Sequence, residues 1–212
     1  MQVISADGTA LDAELALPEE PRGGLVFCHP HPHHGGSMHT PVVEALFEGL
    51  PAHGIAVLRF DFRGVGRSGG THTGGDRERE DAAAAVAALA EALGGAQALA
   101  GSTGGGLPIL LGGWSFGADV ALSTAPEGIA GWFAVAPPLR FALSPHGTDP
   151  RAKVLMAGER DRVAPPDHVR EATAGWAATT VETVPGADHL FLPQRGLLVE
   201  RAAQMLTRSG CV

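Results

Sequence analysis

Residues 107–121 read LPILLGGWSFGADVA. An apolar run, Ile109–Leu111, ends in glycines; Gly113-Trp114-Ser115-Phe116-Gly117 follows, and then small and apolar residues at helical spacing. The pattern predicts a strand, a tight turn and a helix, with Ser115 at the apex. Such a turn brings the helix close under the strand, so a Cβ two residues before or after the serine would collide with backbone. Glycine stands at both places. The serine Oγ is then exposed at the positive end of a helix, the arrangement called a nucleophile elbow, which gains its meaning from a strand-then-helix context.

The remainder of the chain supplies that context. Asp7-Gly8 separates two alternating segments, Val3–Ile4 and Leu11–Leu17, as a hairpin signal does. Leu25–Cys28 and Ile55–Phe60 are short apolar strands, and Ile129–Val135, Lys153–Ala157 and Thr179–Val184 follow the elbow. Helical patterns lie between them: from Ser37 or Thr40 to about Ala52, Glu78 to Leu99 interrupted or ended near Gly94-Gly95, about Pro166 to Trp176, and about Leu197 to Thr207. Strands alternating with helices from residue 25 onward predict an α/β chain. Its doubly wound, mostly parallel sheet has about eight strands, two of them antiparallel at the N-terminus, with helices on both faces. A single domain over residues 1–212 is expected from the length and the lack of linkers or repeats. Sites on such sheets lie beyond the carboxyl ends of the strands.

A serine hydroxyl is a weak nucleophile unless a base takes its proton and an acid orients that base. Asp161 follows strand Lys153–Ala157 through Gly158-Glu159-Arg160, and His189 follows strand Thr179–Val184 through Pro185-Gly186-Ala187-Asp188. Ser115, Asp161 and His189 therefore stand at strand ends in the chain order Ser, Asp, His. Glu159 and Asp188 compete for the acid's place; His168 falls within a helical pattern and His146 in the loop after Pro137-Pro138. The backbone N–H of Phe116 is one expected donor to a developing oxyanion. The other comes from the loop after Leu25–Cys28, where Pro30 and Pro32 have no N–H, leaving His31 first and His33 second.

Composition narrows the alternatives. The net charge is −8 and Lys153 is the only lysine, which disfavours nucleic acid as a partner. Two cysteines, Cys28 and Cys211, make no disulfide framework. Neither a signal peptide nor a membrane-length apolar run is visible, so a cytoplasmic protein without a membrane partner is expected. Gly64-Val65-Gly66-Arg67-Ser68-Gly69 matches a dinucleotide fingerprint, but no helix opens directly after it; Gly101–Gly106 lacks the Lys-Ser/Thr of a P-loop. Five histidines between His29 and His39 invite a zinc reading, yet proline-separated histidines point in varied directions and no Cys or helical His-Glu motif accompanies them. No metal and no cofactor is therefore expected.

The segments HPHPHHGGSMHTPVV, LRFDFRGVGRSGG, LLGGWSFGADVAL, GERDRVAPP and GADHLF, spread over about residues 25–192, resemble the α/β-hydrolases. Within that superfamily the chain is similar to the small, lidless, dienelactone-hydrolase-like group. The resemblance implies a Ser115–Asp161–His189 triad, hydrolysis through an acyl-enzyme, and a structural role for Asp61–Gly70. Dienelactone hydrolases proper carry cysteine in the elbow, where this chain has serine. Pro137–Arg151 is too short for a helical cap.

Leu139, Phe141, Leu143 and Leu190 are candidate apolar walls for the substrate, alongside Phe116. The leading expectation is a serine hydrolase of a carboxylic ester, lactone or thioester, acting on a small-molecule or carrier-tethered acyl group. The alternatives are an acyltransferase or another non-hydrolytic enzyme on the same fold, and a non-catalytic binding protein.

Overall fold

The computed structural model describes residues 1–94, 106–140 and 147–209. Among these, the strands are β1 (Gln2–Ile4), β2 (Ala10–Ala16), β3 (Gly23–Cys28), β4 (Ile55–Phe60), β5 (Ile109–Trp114), β6 (Ile129–Val135), β7 (Ala152–Gly158) and β8 (Thr179–Val184). They form one eight-stranded sheet in the order β1-β2-β4-β3-β5-β6-β7-β8. The pairs β1–β2 and β2–β4 are antiparallel and the remainder parallel. Every residue of β3, β4 and β5 is buried, which is why these segments read as unbroken apolar runs. β2 alternates over its first residues because it lies toward the sheet edge.

The helices are α1 (Pro41–Gly49), α2 (Glu78–Ala92), α3 (Phe116–Leu122), α4 (Pro166–Ala172) and α5 (Arg195–Ser209). Successive strand residues face opposite sides of a sheet. A Cβ on Gly23 would meet Leu206 of α5, and one on Gly24 would meet Leu89 of α2. These two helices therefore cover opposite faces, and the glycines let both approach.

Some boundaries differ from the sequence expectation. Thr40 precedes α1 but its hydroxyl donates to Ser37 O, 2.8 Å away, instead of capping the helix; Pro41 opens it. The helix gives way to a tighter turn, Leu50–His53, that ends at left-handed Gly54. The Ala-rich helix is described to Ala92, and residues 95–105 lie outside the described residues. α4 stops short of Trp176, at Ala172, with the Thr173 hydroxyl bonded back to Val169 O. α5 begins two residues earlier than Leu197.

The Asp61–Gly70 stretch ties elements together. Arg63, almost fully buried, donates to Asp81 of α2, to Asp7 and to Ser5. Asp61 accepts the Met38 N–H, and Gly66 passes so close to its carboxylate that a Cβ there would lie 2.4 Å from Oδ2. No helix among the described residues is long and apolar enough to cross a membrane.

β3 runs between β4 and β5, so the chain leaves it in one direction and returns past it in the other. A crevice opens at such a reversal, beyond the carboxyl ends of the strands. The loop after β3 and the turn after β5 meet there.

Candidate active site

β5 runs directly into α3 through Ser115. Its backbone is left-handed (φ 55°, ψ −118°), a conformation that costs a non-glycine residue about 1–3 kcal/mol and persists only when its surroundings enforce it. The surroundings here are tight. A Cβ on Gly113 would lie 2.3 Å from the Gly117 carbonyl, and one on Gly117 would lie 2.4 Å from the carbonyl oxygens of Cys28 and His29. The Ser115 N–H donates to Val135 O of β6 at 2.9 Å, anchoring the apex to the neighbouring strand.

Ser115 Oγ lies 2.9 Å from His189 Nε2, and His189 Nδ1 lies 2.8 Å from Asp161 Oδ2. The other carboxylate oxygen, Oδ1, accepts the N–H groups of Val163 (2.8 Å) and Ala164 (2.9 Å). Asp161 has no exposed side-chain surface, whereas His189 keeps about a fifth of its own. Burial pushes the Asp161 carboxyl up, but the His189 and loop N–H bonds together outweigh it and hold the group below its ordinary value. It is an anion beside the imidazole. The rivals are engaged elsewhere: Glu159 accepts the Gly186 N–H, Asp188 accepts the Leu190 N–H, and His168 sits on α4. His146 lies outside the described residues.

Phe116 is the first residue of α3, where backbone N–H groups point out along the axis. The His31 ring packs against it with centroids 4.9 Å apart, bringing the loop after β3 to the elbow. The His33 N–H is already donated to His31 Nδ1 at 3.2 Å, which favours His31 over His33 as the loop's candidate donor toward the cavity. Burial, and then the neighbouring rings, hold the His31 imidazole below its ordinary value.

His29 holds this loop from beneath. Its Nδ1–H donates to Pro30 O (2.6 Å) and its Nε2 accepts the Phe62 N–H (3.1 Å), so both nitrogens are used by the neutral ring. Burial is the main reason its pKa falls to about 4 from 6.5. The unfolded chain takes up this proton below pH 6.5, whereas the folded chain does not until about pH 4. The stabilisation is thus complete above pH 6.5 and lost as pH falls, by about 3 kcal/mol in all. Urea unfolding at pH 7 and pH 4.5 will show the wild type losing about 2–3 kcal/mol more than His29→Gln, because the carboxylates titrate alike in both proteins and cancel. Equal losses would contradict this role.

A cavity of about 470 Å³ opens over Ser115 and His189, walled by Trp114, Pro138, Val163 and Leu190. Leu190 lines it. Leu139 does not: its side chain is packed in the core. The cause is Asp119 of α3, whose carboxylate accepts the N–H groups of Leu139 (2.8 Å) and Arg140 (2.9 Å) and holds Leu139 in a left-handed turn (φ 55°). Burial raises the Asp119 carboxyl to about 6 despite those bonds. Phe141 and Leu143 lie outside the described residues.

Asp119, Trp114 and Val163 escaped the sequence reading. Trp114 carried a usable signal, since a buried indole N–H requires an acceptor. It donates to His189 O at 2.9 Å and so positions the loop that carries the imidazole.

The chain is 30% identical over 176 residues to a protein of Rickettsia prowazekii, covering 77% of this chain and 69% of that one. An α/β serine hydrolase homologue from Coxiella burnetii superposes with a TM-score of 0.80 at 27% identity, covering 95% of each chain. A lidless α/β serine hydrolase from Xanthomonas campestris gives 0.78 at 28% identity, over 98% of this chain and 93% of that one. Residues 19–171 match the family described as serine aminopeptidase, S33. With most of its length inside that match, and with the sheet and elbow described above, the chain belongs to this hydrolase family within the α/β-hydrolase superfamily.

Proposed function

We propose that the protein is a serine hydrolase that cleaves a carboxylic ester, lactone or thioester through an acyl-enzyme on Ser115. The observation that carries this proposal is the unbroken chain from Ser115 Oγ to His189 (2.9 Å) to Asp161 (2.8 Å), opening on a partly apolar cavity. His189 Nε2 takes the serine proton as Oγ attacks the carbonyl carbon, and Asp161 stabilises the imidazolium that forms. The N–H groups of Phe116 and His31 receive the charge developing on the carbonyl oxygen. Collapse of the tetrahedral intermediate expels the alkoxide or thiolate, which takes the proton from His189. Water then enters, gives a proton to the same nitrogen and releases the acid.

The family is described as serine aminopeptidases, and one feature favours an ester or thioester over a peptide N-terminus here. Binding a terminal ammonium needs an available carboxylate. Among the described residues lining the cavity, Asp119 is the carboxylate present, and its oxygens are bound to the Leu139 and Arg140 amides. The segment between Val135 and Ala152 is too short for a helical cap, so a small-molecule or a carrier-tethered acyl group would have access to Ser115.

Short-chain p-nitrophenyl esters, acyl thioesters and amino-acid p-nitroanilides should be compared as substrates, with the acyl product identified. Turnover of esters or thioesters to free acid is expected. Turnover confined to the anilides, or acyl transfer to an added amine or alcohol with no free acid, would overturn the assignment.

A further inference from the structure

Beside the cavity, three imidazoles from two distant parts of the chain converge. One ring nitrogen from each of His31, His33 and His72 lies within 4.8 Å of the other two, and the ring centroids are 4.9–5.2 Å apart. Along the chain, only the His29–His39 loop shows histidines close together. There, the short turn Pro32–His34 places His31 and His33 on the same side, with the His33 N–H bonded to His31 Nδ1. His72 arrives from the segment after β4.

A second observation points to a cation. His72 Nδ1 is buried without a hydrogen-bond partner, 2.9 Å from Glu78 Oε1 but outside hydrogen-bonding alignment. Glu78 itself has no exposed side-chain surface. It accepts three donors, the Thr73 N–H, the Thr73 hydroxyl and the Gly75 N–H, a pattern that suits a carboxylate rather than a carboxylic acid. Among the described residues its one basic neighbour at ion-pair distance is His72. A buried negative charge behind a histidine is the arrangement by which proteins orient imidazole toward a metal ion.

We infer that His31, His33 and His72 form a binding site for a divalent transition-metal ion of the zinc class, with Glu78 supporting His72 from behind. Three nitrogen ligands with a fourth, solvent-facing position suit Zn²⁺. Bonds of about 2.0–2.1 Å set ligand nitrogens in a tetrahedral site roughly 3.3 Å apart, so the rings must close somewhat, and His31 must give up the His33 N–H to offer its one lone pair to the ion. The exposed His33 side chain is free to turn inward for that closure. The bound ion would fasten His31, whose ring packs on Phe116, and so fix the loop beside Ser115. This last consequence rests on the proposed hydrolase; ion binding itself does not.

The test uses the full chain, freed of any histidine tag and of metal, titrated with Co²⁺ while the visible ligand-field bands are followed. One ion per chain is expected, giving a four-coordinate spectrum that Zn²⁺ displaces. His72→Gln and His33→Gln should each abolish the bands, and Glu78→Gln should weaken binding by about tenfold to a hundredfold. His33 is exposed, so its variant remains informative even where a change at buried Glu78 prevents folding. Absence of bands in the wild type, or unchanged bands in both histidine variants, would overturn the site. Loss of hydrolysis with the bands intact would count against the proposed function instead.

Discussion

Ser115→Ala is expected to lower kcat by about 10⁶ and to leave the protein folded. Removing the nucleophile of a serine hydrolase triad costs about as much as removing the whole triad, because the base and the acid act only through it. Nothing else in the fold depends on the hydroxyl: its one described hydrogen bond is to His189, while the backbone N–H that ties the elbow to Val135 remains. Alanine carries the same Cβ into the same left-handed backbone, so the conformational strain at this position is unchanged. Urea unfolding should therefore give a stability within about 1 kcal/mol of wild type. KM should also hardly move, since the cavity walls are untouched. A fall in kcat of less than a hundredfold, measured on protein purified free of wild-type enzyme, would place the nucleophile elsewhere.

Asp161→Asn is expected to have the second largest effect, about 10⁴ in kcat. The direction follows from the two ends of the side chain. Oδ1 accepts the Val163 and Ala164 N–H groups, and Oδ2 faces His189 Nδ1. An asparagine must keep its oxygen toward the two amides, which turns its NH₂ toward the imidazole. Nδ1 then accepts, the ring proton moves to Nε2, and Nε2 can no longer take the proton of Ser115. The geometry survives while the tautomer is wrong. Steady-state kinetics on Asp161→Asn and Glu159→Gln distinguish the two acids: Glu159 receives the Gly186 N–H, so its variant should stay within about threefold of wild type. A reversed pattern would assign the acid to Glu159.

The elbow was legible because sterics write it into the sequence. Only glycine tolerates the backbone approaches of 2.3–2.4 Å at positions 113 and 117, and the strand before and the helix after show their own periods. The parallel strands were legible through their unbroken burial, and Asp161 and His189 through their places just past β7 and β8. The cavity wall was not. Leu139 reads as an apolar loop residue, and only the contact of its amide with Asp119, twenty residues earlier, shows that its side chain turns into the core. The grouping of His31 and His33 with His72 was hidden for a related reason. His29 is a satisfied core group, whereas His31 and His33 find their third companion in His72, a juxtaposition made by the ends of β3 and β4 lying side by side. Periodicity and turn chemistry report on neighbours along the chain; these contacts join residues far apart in it.

The central claim is that Ser115 carries the acyl group. A fluorophosphonate reacts with a serine only when a base removes its proton and the charge on the attacked oxygen is stabilised, so it reports on the assembled site without knowledge of the substrate. Intact-mass and peptide-level spectrometry after such labelling should show a single adduct on the peptide containing Ser115, lost in Ser115→Ala and strongly slowed in Asp161→Asn. Folded wild-type protein that takes up no label, or an adduct that persists in Ser115→Ala, would contradict it.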